Sequence, residues 1–442
     1  MSAASTAVQV SRDLAAIVGS DHVCDESSLL TPFAIDAVRP SVSVMPATPE
    51  EVGAVLRLAN QQKLTVVPSG GFTLQSLGAT PQPIDILLRT GRMETLLHFD
   101  PGDLTIGLSA GMRVAEAQRT VAAHNLLLPI DPPRAAQATI GGALATAASG
   151  PLKHGYGGIR EYCIGVTFVT GDGRLAKAGG RVVKNVAGYD LMKLLIGSHG
   201  TLGVIVAANF KLFAAPRQTR TFIANFATVE EALSLLRAVR RSPLSPMCLD
   251  IVSPHAHAYI GSATGSQWTI AVRAAGSDAV LRRYSGEIGT AASCYAGAEE
   301  SAFWNGIQGF AETVRARHHN ALGMWVHLSF SEVARFLAAA QQIAADHNFL
   351  FTCVGRAALA SLELALIPIS VDPPAVTQYA NAVSAIRAAL PVNTAAIVHL
   401  CPREVKEHIN VWGLSANDLE SMRAIKRALD PNDILNRGRF LF

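Results

Sequence analysis

Residues 64–73 read Leu64-Thr65-Val66-Val67-Pro68-Ser69-Gly70-Gly71-Phe72-Thr73. This is a short β-branched strand, Leu64 to Val67, stopped by a proline and two glycines, with Gly78 just beyond. Consecutive glycines let backbone N–H groups converge on an anion with no Cβ in the way. A pyrophosphate suits such a turn; a plain tight turn is the alternative. Immediately upstream, Thr48-Pro49-Glu50-Glu51 is a capping box with proline at the first helical position. The helix it opens carries Val52, Val55, Leu56 and Ala59 on one apolar face. The turn is not a P-loop, since no Gly-Lys-Ser/Thr follows. Nor is it a dinucleotide fingerprint, since no Gly-x-Gly-x-x-Gly opens a helix.

Two further clusters lie downstream. Leu128-Pro129-Ile130-Asp131-Pro132-Pro133 precedes Thr139-Ile140-Gly141-Gly142 and a small-residue run, Ala143 to Gly150, that includes Ala145. Small residues after a proline-rigid turn admit a flat ligand or, equally, tight helix packing. The third cluster runs Lys184-Asn185-Val186-Ala187-Gly188-Tyr189-Asp190-Leu191, then Gly197-Ser198-His199-Gly200-Thr201-Leu202-Gly203-Val204-Ile205. N–H groups exposed at such turns bind a ribose or phosphate. Between the clusters, Leu104 to Leu108, Ile164 to Thr170 and Gly203 to Phe213 read as strands. Gly171-Asp172-Gly173 is a hairpin turn.

The order and spacing of the three clusters, from about Val42 to Pro216, resemble the FAD-binding domain of the vanillyl-alcohol oxidase/p-cresol methylhydroxylase (PCMH) superfamily. Within it, the closest likeness is to the FAD-binding E subunit of bacterial glycolate oxidase. That likeness rests on Asp100-Pro101, Arg160-Glu161-Tyr162, the run from Gly179 to Leu191, Val411-Trp412-Gly413, and Asp430-Pro431-Asn432-Asp433-Ile434-Leu435-Asn436-Arg437-Gly438-Arg439-Phe440. The resemblance implies an α+β protein. Its parts are an N-terminal arm (1–41), a two-lobed PCMH-type FAD-binding domain (42–216), a second α+β cap domain around an antiparallel sheet (217–405), and a C-terminal segment (406–442) that returns to the FAD domain. It assigns FAD contacts to Pro68, Ser69, Gly70, Gly71, Phe72, Thr73, Gly78, Asp131, Thr139, Ile140, Gly141, Gly142, Ala145, Lys184, Gly203, Val204 and Ile205. Phe72 stands where covalently flavinylated relatives carry histidine, and no cysteine lies near Thr139, so the FAD is expected to be non-covalent.

From Arg217 onward glycine thins out and amphipathic helices appear. Thr228-Val229-Glu230-Glu231 and Ser329-Phe330-Ser331-Glu332 each cap a helix that follows a strand, about a hundred residues apart. Two such units predict a pseudo-repeat around an antiparallel sheet. His318, His319 and His327 lie near a strand of this domain. Arg315, Arg317 and Arg356 are candidates for a bidentate grip on a carboxylate. Satisfied histidines and solvated arginines are the bland alternatives. No His-x-Gly-Asp-Gly-Asn segment, the metal-binding signature of related D-2-hydroxy-acid dehydrogenases, is present.

Composition narrows the partners. The 442 residues carry 37 Lys and Arg against 34 Asp and Glu, with no basic run to suit nucleic acid. Mean hydropathy is positive, yet the longest uncharged stretch, Ala135 to Leu152, is Gly, Ala and Ser rather than Leu and Ile, so no integral membrane segment is expected. The six cysteines, at 24, 163, 248, 294, 353 and 401, have no cluster spacing. The expected activity is FAD-dependent oxidation of a small 2-hydroxy acid such as glycolate, with electrons leaving to a second carrier. The resemblance implies a second flavin subunit and an iron–sulfur subunit as partners. It also implies a cytoplasmic location, at most peripheral to the inner membrane. A non-catalytic electron-relay subunit is the rival reading.

Overall fold

The computed structural model describes residues 3–182, 190–262, 267–289, 293–370, 372–392, 394–414 and 419–440. The chain forms two compact units. One comprises residues 1–149, 158–215 and 416–442; the other comprises 150–157 and 216–415.

The first unit holds two larger sheets that match its two lobes, and a two-stranded pair of Leu126–Leu127 with Phe213–Ala214. In the sheet of the first lobe, the strands Val42–Val44, Ile86–Arg89 and Val66–Ser69 run parallel, with Val23–Cys24 antiparallel at the edge. Parallel neighbours need a crossover, and the helix Pro49–Gln62 provides one, burying Val52, Val55, Leu56 and Ala59 as its periodicity predicts. Its cap is half of a capping box. Thr48 accepts from the Glu51 N–H at 3.1 Å, while the Glu51 carboxylate accepts from Ala47 rather than Thr48. The N-terminal helix Ala3–Val18 places Val10, Leu14 and Val18 in the same core.

The second lobe is a five-stranded antiparallel sheet, ordered Leu96–Asp100, Thr105–Ser109, Val204–Lys211, Cys163–Val169, Leu175–Gly179. The hairpin turn predicted at Gly171-Asp172-Gly173 joins its last two strands. The C-terminal segment is stitched to both lobes. Val66 donates to the Ile434 carbonyl at 2.7 Å, and Gly171 to the Leu429 carbonyl at 2.8 Å.

The second unit is one eight-stranded antiparallel sheet, and its order exposes the repeat. The strands run Ser293–Tyr295, Thr219–Phe226, Trp268–Ala275, Cys248–Val252, then Phe349–Arg356, Ser361–Pro368, Leu322–His327, Ala396–Leu400. By chain position within each half this is 4-1-3-2 followed by 2-3-1-4, two β-α-β-β-α-β units joined through their second strands, where Ile251 faces Gly355. Thr228 and Glu231 form the full capping box expected there. At the corresponding place Ser329 does not cap: a 3-10 turn, Phe330–Glu332, precedes the helix Val333–Asp346, and the Ser329 hydroxyl bonds Ser331 instead.

Candidate functional site

In the first unit, the first two glycine clusters meet. Pro68 and Ser69 end a strand, and the Ser69 carbonyl accepts from the Thr90 N–H at 2.9 Å. The chain then turns at Gly70 and Gly71 against residues 137–139. A Cβ on Gly70 would lie 2.0 Å from Thr139 Oγ1, and one on Gly71 would lie 1.8 Å from the Gln137 carbonyl oxygen. Gly71 therefore serves backbone-to-backbone packing, and Gly70 makes room for the Thr139 side chain. Phe72 follows at φ 58° with its ring edge-on to Phe33, then half-buried Thr73 and, at φ 98°, Gly78.

Thr139 caps the short helix Ile140–Thr146 by accepting from the Gly142 N–H at 3.3 Å. Ile140 is buried, and Gly141 lies so close to Ala110 that a Cβ would meet it at 2.8 Å. Gly142 differs: among the described residues a Cβ there would meet nothing but Thr139 Oγ1, at 3.2 Å. Space a side chain would fill is thus left open beside the Thr139 hydroxyl. Asp131 is buried just after Pro129, whose carbonyl holds the Tyr162 hydroxyl at 2.9 Å.

The third cluster joins this corner through its backbone. His199 (φ 52°) donates its N–H to the Ala145 carbonyl at 2.7 Å, and its own carbonyl accepts from Asn436 Nδ2 at 2.6 Å. Burial and the nearby Arg439 charge hold the His199 imidazole down to about 4, so it is neutral near pH 7. Gly203 is required where its Cβ would meet the Val169 carbonyl at 2.9 Å. Val204 and Ile205 point into the core, which leaves only their backbone for a ligand. Lys184 lies outside the described residues.

The second unit carries its polar groups on one face of the sheet. Leu249, Ile251, Ile270, Val272, Cys353 and Leu364 alternate with them and are buried. Strand register sets Asp250 beside Arg356, Arg356 beside Ser361, and Ser361 beside His327, one row across four strands. Arg356 Nε lies 3.9 Å from Asp250 Oδ2, and His327 Nε2 lies 3.3 Å from Ser361 Oγ. The row runs from fully buried Asp250, through Arg356 and Ser361 at 7% and 9% exposure, to exposed His327. Complete burial pushes the Asp250 carboxyl up to about 6, with Arg356 pulling it back.

Of the other sequence candidates, His319 is exposed and three are engaged elsewhere. Arg315 pairs with Glu312, Arg317 donates to the Ala258 carbonyl at 2.9 Å, and His318 bonds the Tyr259 hydroxyl at 3.0 Å. Sequence reasoning missed Asp250. Its signal was a lone carboxylate inside the apolar run Cys248-Leu249-Asp250-Ile251-Val252. It also missed Lys426, whose buried Nζ bonds the Thr201 and Leu435 carbonyls and Asp430.

Residues 40–179 match the FAD binding domain, and residues 406–440 match the C-terminal domain of FAD linked oxidases. The chain thus carries segments similar to both domains of FAD-linked oxidases. Its cofactor is FAD. D-lactate dehydrogenase of Archaeoglobus fulgidus is 36% identical over 227 residues, so the match spans about half (51%) of either chain. D-2-hydroxyglutarate dehydrogenase of Xanthomonas citri pv. viticola is 28% identical over 90% of this chain and 89% of its own. Two glycolate oxidase subunits also match: GlcD of Bacillus subtilis (24% identical, 97% of this chain, 96% of its own) and GlcE of Escherichia coli (31%, 43% and 55%). The E subunit is thus one relative among several. Among solved structures, p-cresol methylhydroxylase superposes with a TM-score of 0.76 at 16% identity, covering 98% of this chain and 96% of that one, a likeness of fold alone.

The open space at Gly142 fits a bound FAD, whereas Gly70 and Gly71 fold the turn beside it. With Phe72 packed on Phe33, acid precipitation of the purified yellow protein will release all flavin into the supernatant. Colour retained in the pellet would show a covalent link.

Proposed function

We propose that this chain uses FAD to oxidise a small 2-hydroxy acid, and that it does so as a subunit of a glycolate oxidase-type complex with a second flavin subunit and an iron–sulfur acceptor. The observation that supports the chemistry is the row of Asp250, Arg356, Ser361 and His327. Bound FAD supplies a two-electron acceptor for hydride. In the first unit, the backbone around Ser69–Thr73 and Thr139–Gly142 would hold the cofactor, with the Thr139 hydroxyl beside the open space. The turn from Gly197 to Ile205 would add backbone N–H groups. In the second unit, Arg356 is the anchor for the substrate carboxylate. A guanidinium matches a carboxylate in a bidentate fork, and Asp250 behind it holds it in place. The relatives' names, D-lactate, D-2-hydroxyglutarate and glycolate, share this 2-hydroxycarboxylate unit.

Anaerobic mixing of the purified chain with glycolate, D-lactate and D-2-hydroxyglutarate will bleach the flavin with at least one of them. Arg356→Met will raise the half-saturating concentration by roughly a hundredfold, the equivalent of about 3 kcal/mol for losing a partner of a desolvated charge pair. Unchanged saturation in that variant would remove Arg356 from the site. The relay reading is kept by one outcome only: no bleaching by the isolated chain, with turnover restored on co-expression with its partner subunits.

A further inference from the structure

We propose that Arg439 is a positioning residue for FAD: it holds the loop after the Gly70-Gly71 turn in the shape that receives the cofactor. The site is then completed by a residue 364 positions downstream of Gln75 in that loop. The inference rests on the reading that this loop borders FAD, and it adds what sets the loop's shape.

Residues 70–85 connect the parallel strands Val66–Ser69 and Ile86–Arg89 with no helix or strand of their own. Crossovers between parallel neighbours are ordinarily helical, and irregular connections of this length tend to be functional. The backbone groups of such a loop need partners from outside it, and the tail supplies them. The buried Arg439 guanidinium donates through Nη2 to the Gln75 carbonyl at 2.5 Å and to the Leu77 carbonyl. The Arg439 carbonyl accepts from the Ala79 N–H at 3.1 Å, and the Arg437 carbonyl from the Gln82 N–H at 3.2 Å. Gly438, between those two carbonyls, has φ 81°, and a Cβ there would lie 3.1 Å from Gln82 Cγ. Gln75 Nε2 in turn donates to the Pro68 carbonyl at 3.1 Å, so the grip on Gln75 reaches back to the strand end at the glycine turn.

The clamp is itself anchored. Asn436 donates its N–H to the Val66 carbonyl at 2.9 Å and its Nδ2 to the His199 carbonyl at 2.6 Å. The Arg439 N–H returns to the Asn436 carbonyl at 3.2 Å, and the Phe440 ring stacks on His199 with centroids 6.2 Å apart. Residues 436–440 thus hold the first glycine cluster through Gln75 and the third through His199. Burial pushes the Arg439 guanidinium down to about 10, with Asp36 pulling it back up, so it stays charged near pH 7. A cation bonded to two carbonyls makes charge-assisted hydrogen bonds, the stronger kind. They order residues 75–77 when the chain folds rather than when FAD arrives, which spares binding that ordering cost. Without the clamp only the fraction of molecules with the loop in place binds FAD, and the apparent affinity falls by that fraction.

The test titrates FAD into the whole chain freed of flavin, following flavin fluorescence, and measures backbone hydrogen exchange of residues 72–82 with and without FAD. In the parent, the Ala79 and Gln82 N–H groups are expected to exchange slowly before FAD is added, and the loop more slowly still afterwards. Arg439→Met is expected to speed exchange across the loop and to weaken FAD binding by about tenfold to a hundredfold, the size of losing charge-assisted hydrogen bonds. Arg439→Lys is expected to regain most of that affinity. One nitrogen makes both bonds, so an ammonium can replace it, whereas Met fills the space and donates nothing. Three results overturn the proposal: fast exchange at Ala79 and Gln82 in the FAD-free parent, Arg439→Met binding FAD within about threefold of the parent, or Arg439→Lys binding no better than Arg439→Met. If FAD leaves exchange of residues 72–82 unchanged in the parent, the reading that this loop borders the cofactor has itself failed.

Discussion

Gly71→Val will purify without FAD and with a destabilised first unit. The Cβ of any residue at 71 would sit 1.8 Å from the Gln137 carbonyl oxygen and 2.7 Å from its carbon. Both are backbone atoms of a segment pinned at Gln137 and Ala138 by bonds to the Arg134 carbonyl, so neither can step aside as a side-chain tip would. Relief requires parting residues 70–72 from 137–139, the contact that brings two glycine clusters together. Losses above about 4 kcal/mol belong to such backbone collisions. Gly142→Val is the informative companion. Among the described residues its Cβ meets only Thr139 Oγ1, at 3.2 Å, so the fold should survive while the added branches fill the open space. The flavin-to-protein absorbance ratio and the thermal midpoint separate the two. Gly71→Val is expected to fail both measures; Gly142→Val is expected to fail the first alone. A fully loaded Gly142→Val protein would put the cofactor elsewhere.

The second large effect is expected from Lys426→Met. Lys426 is 5% exposed in the helix Leu419–Leu429, and its ammonium donates to the Thr201 carbonyl at 2.9 Å, the Leu435 carbonyl at 3.0 Å and Asp430 Oδ2 at 2.6 Å. One cation thus ties the third glycine cluster to the C-terminal tail. Asp430, itself 1% exposed, accepts from the Ile434 and Leu435 N–H groups. Removing the cation leaves that carboxylate buried with its charge uncompensated, at a cost of about 3–5 kcal/mol. For a unit of this size the thermal midpoint should fall by roughly 10 °C, with flavin released in the same transition. Lys426→Met combined with Asp430→Asn should recover part of the loss, since no unpaired charge then remains. A single variant that melts like the parent would show that the buried pair contributes nothing net.

What the sequence determined by itself is local. Pro49 behind Thr48 starts a helix and the 3.6-residue spacing of Val52, Val55, Leu56 and Ala59 chooses its buried face. Gly171-Asp172-Gly173 turns a hairpin, and Thr228 with Glu231 caps a helix, because each signal acts within a few residues. The glycine clusters identified an FAD domain through their order along the chain. Their partners, however, were set by tertiary structure. Gly71 reads as a position beside the cofactor; that its Cβ would also collide with Gln137, 66 positions away, is a neighbour no local pattern names. Glu51 likewise turned to Ala47, and the second capping signal yielded to a 3-10 turn. Arg356 and His327 are candidates by residue type alone, but their alignment in one row with Asp250 and Ser361 was illegible for the same reason. Each residue alternates with apolar neighbours as any half-buried strand does. Only the pairing of the two repeats at Ile251 and Gly355 aligns them, and strand pairing over a hundred residues is decided by the burial of a whole sheet rather than by any one segment.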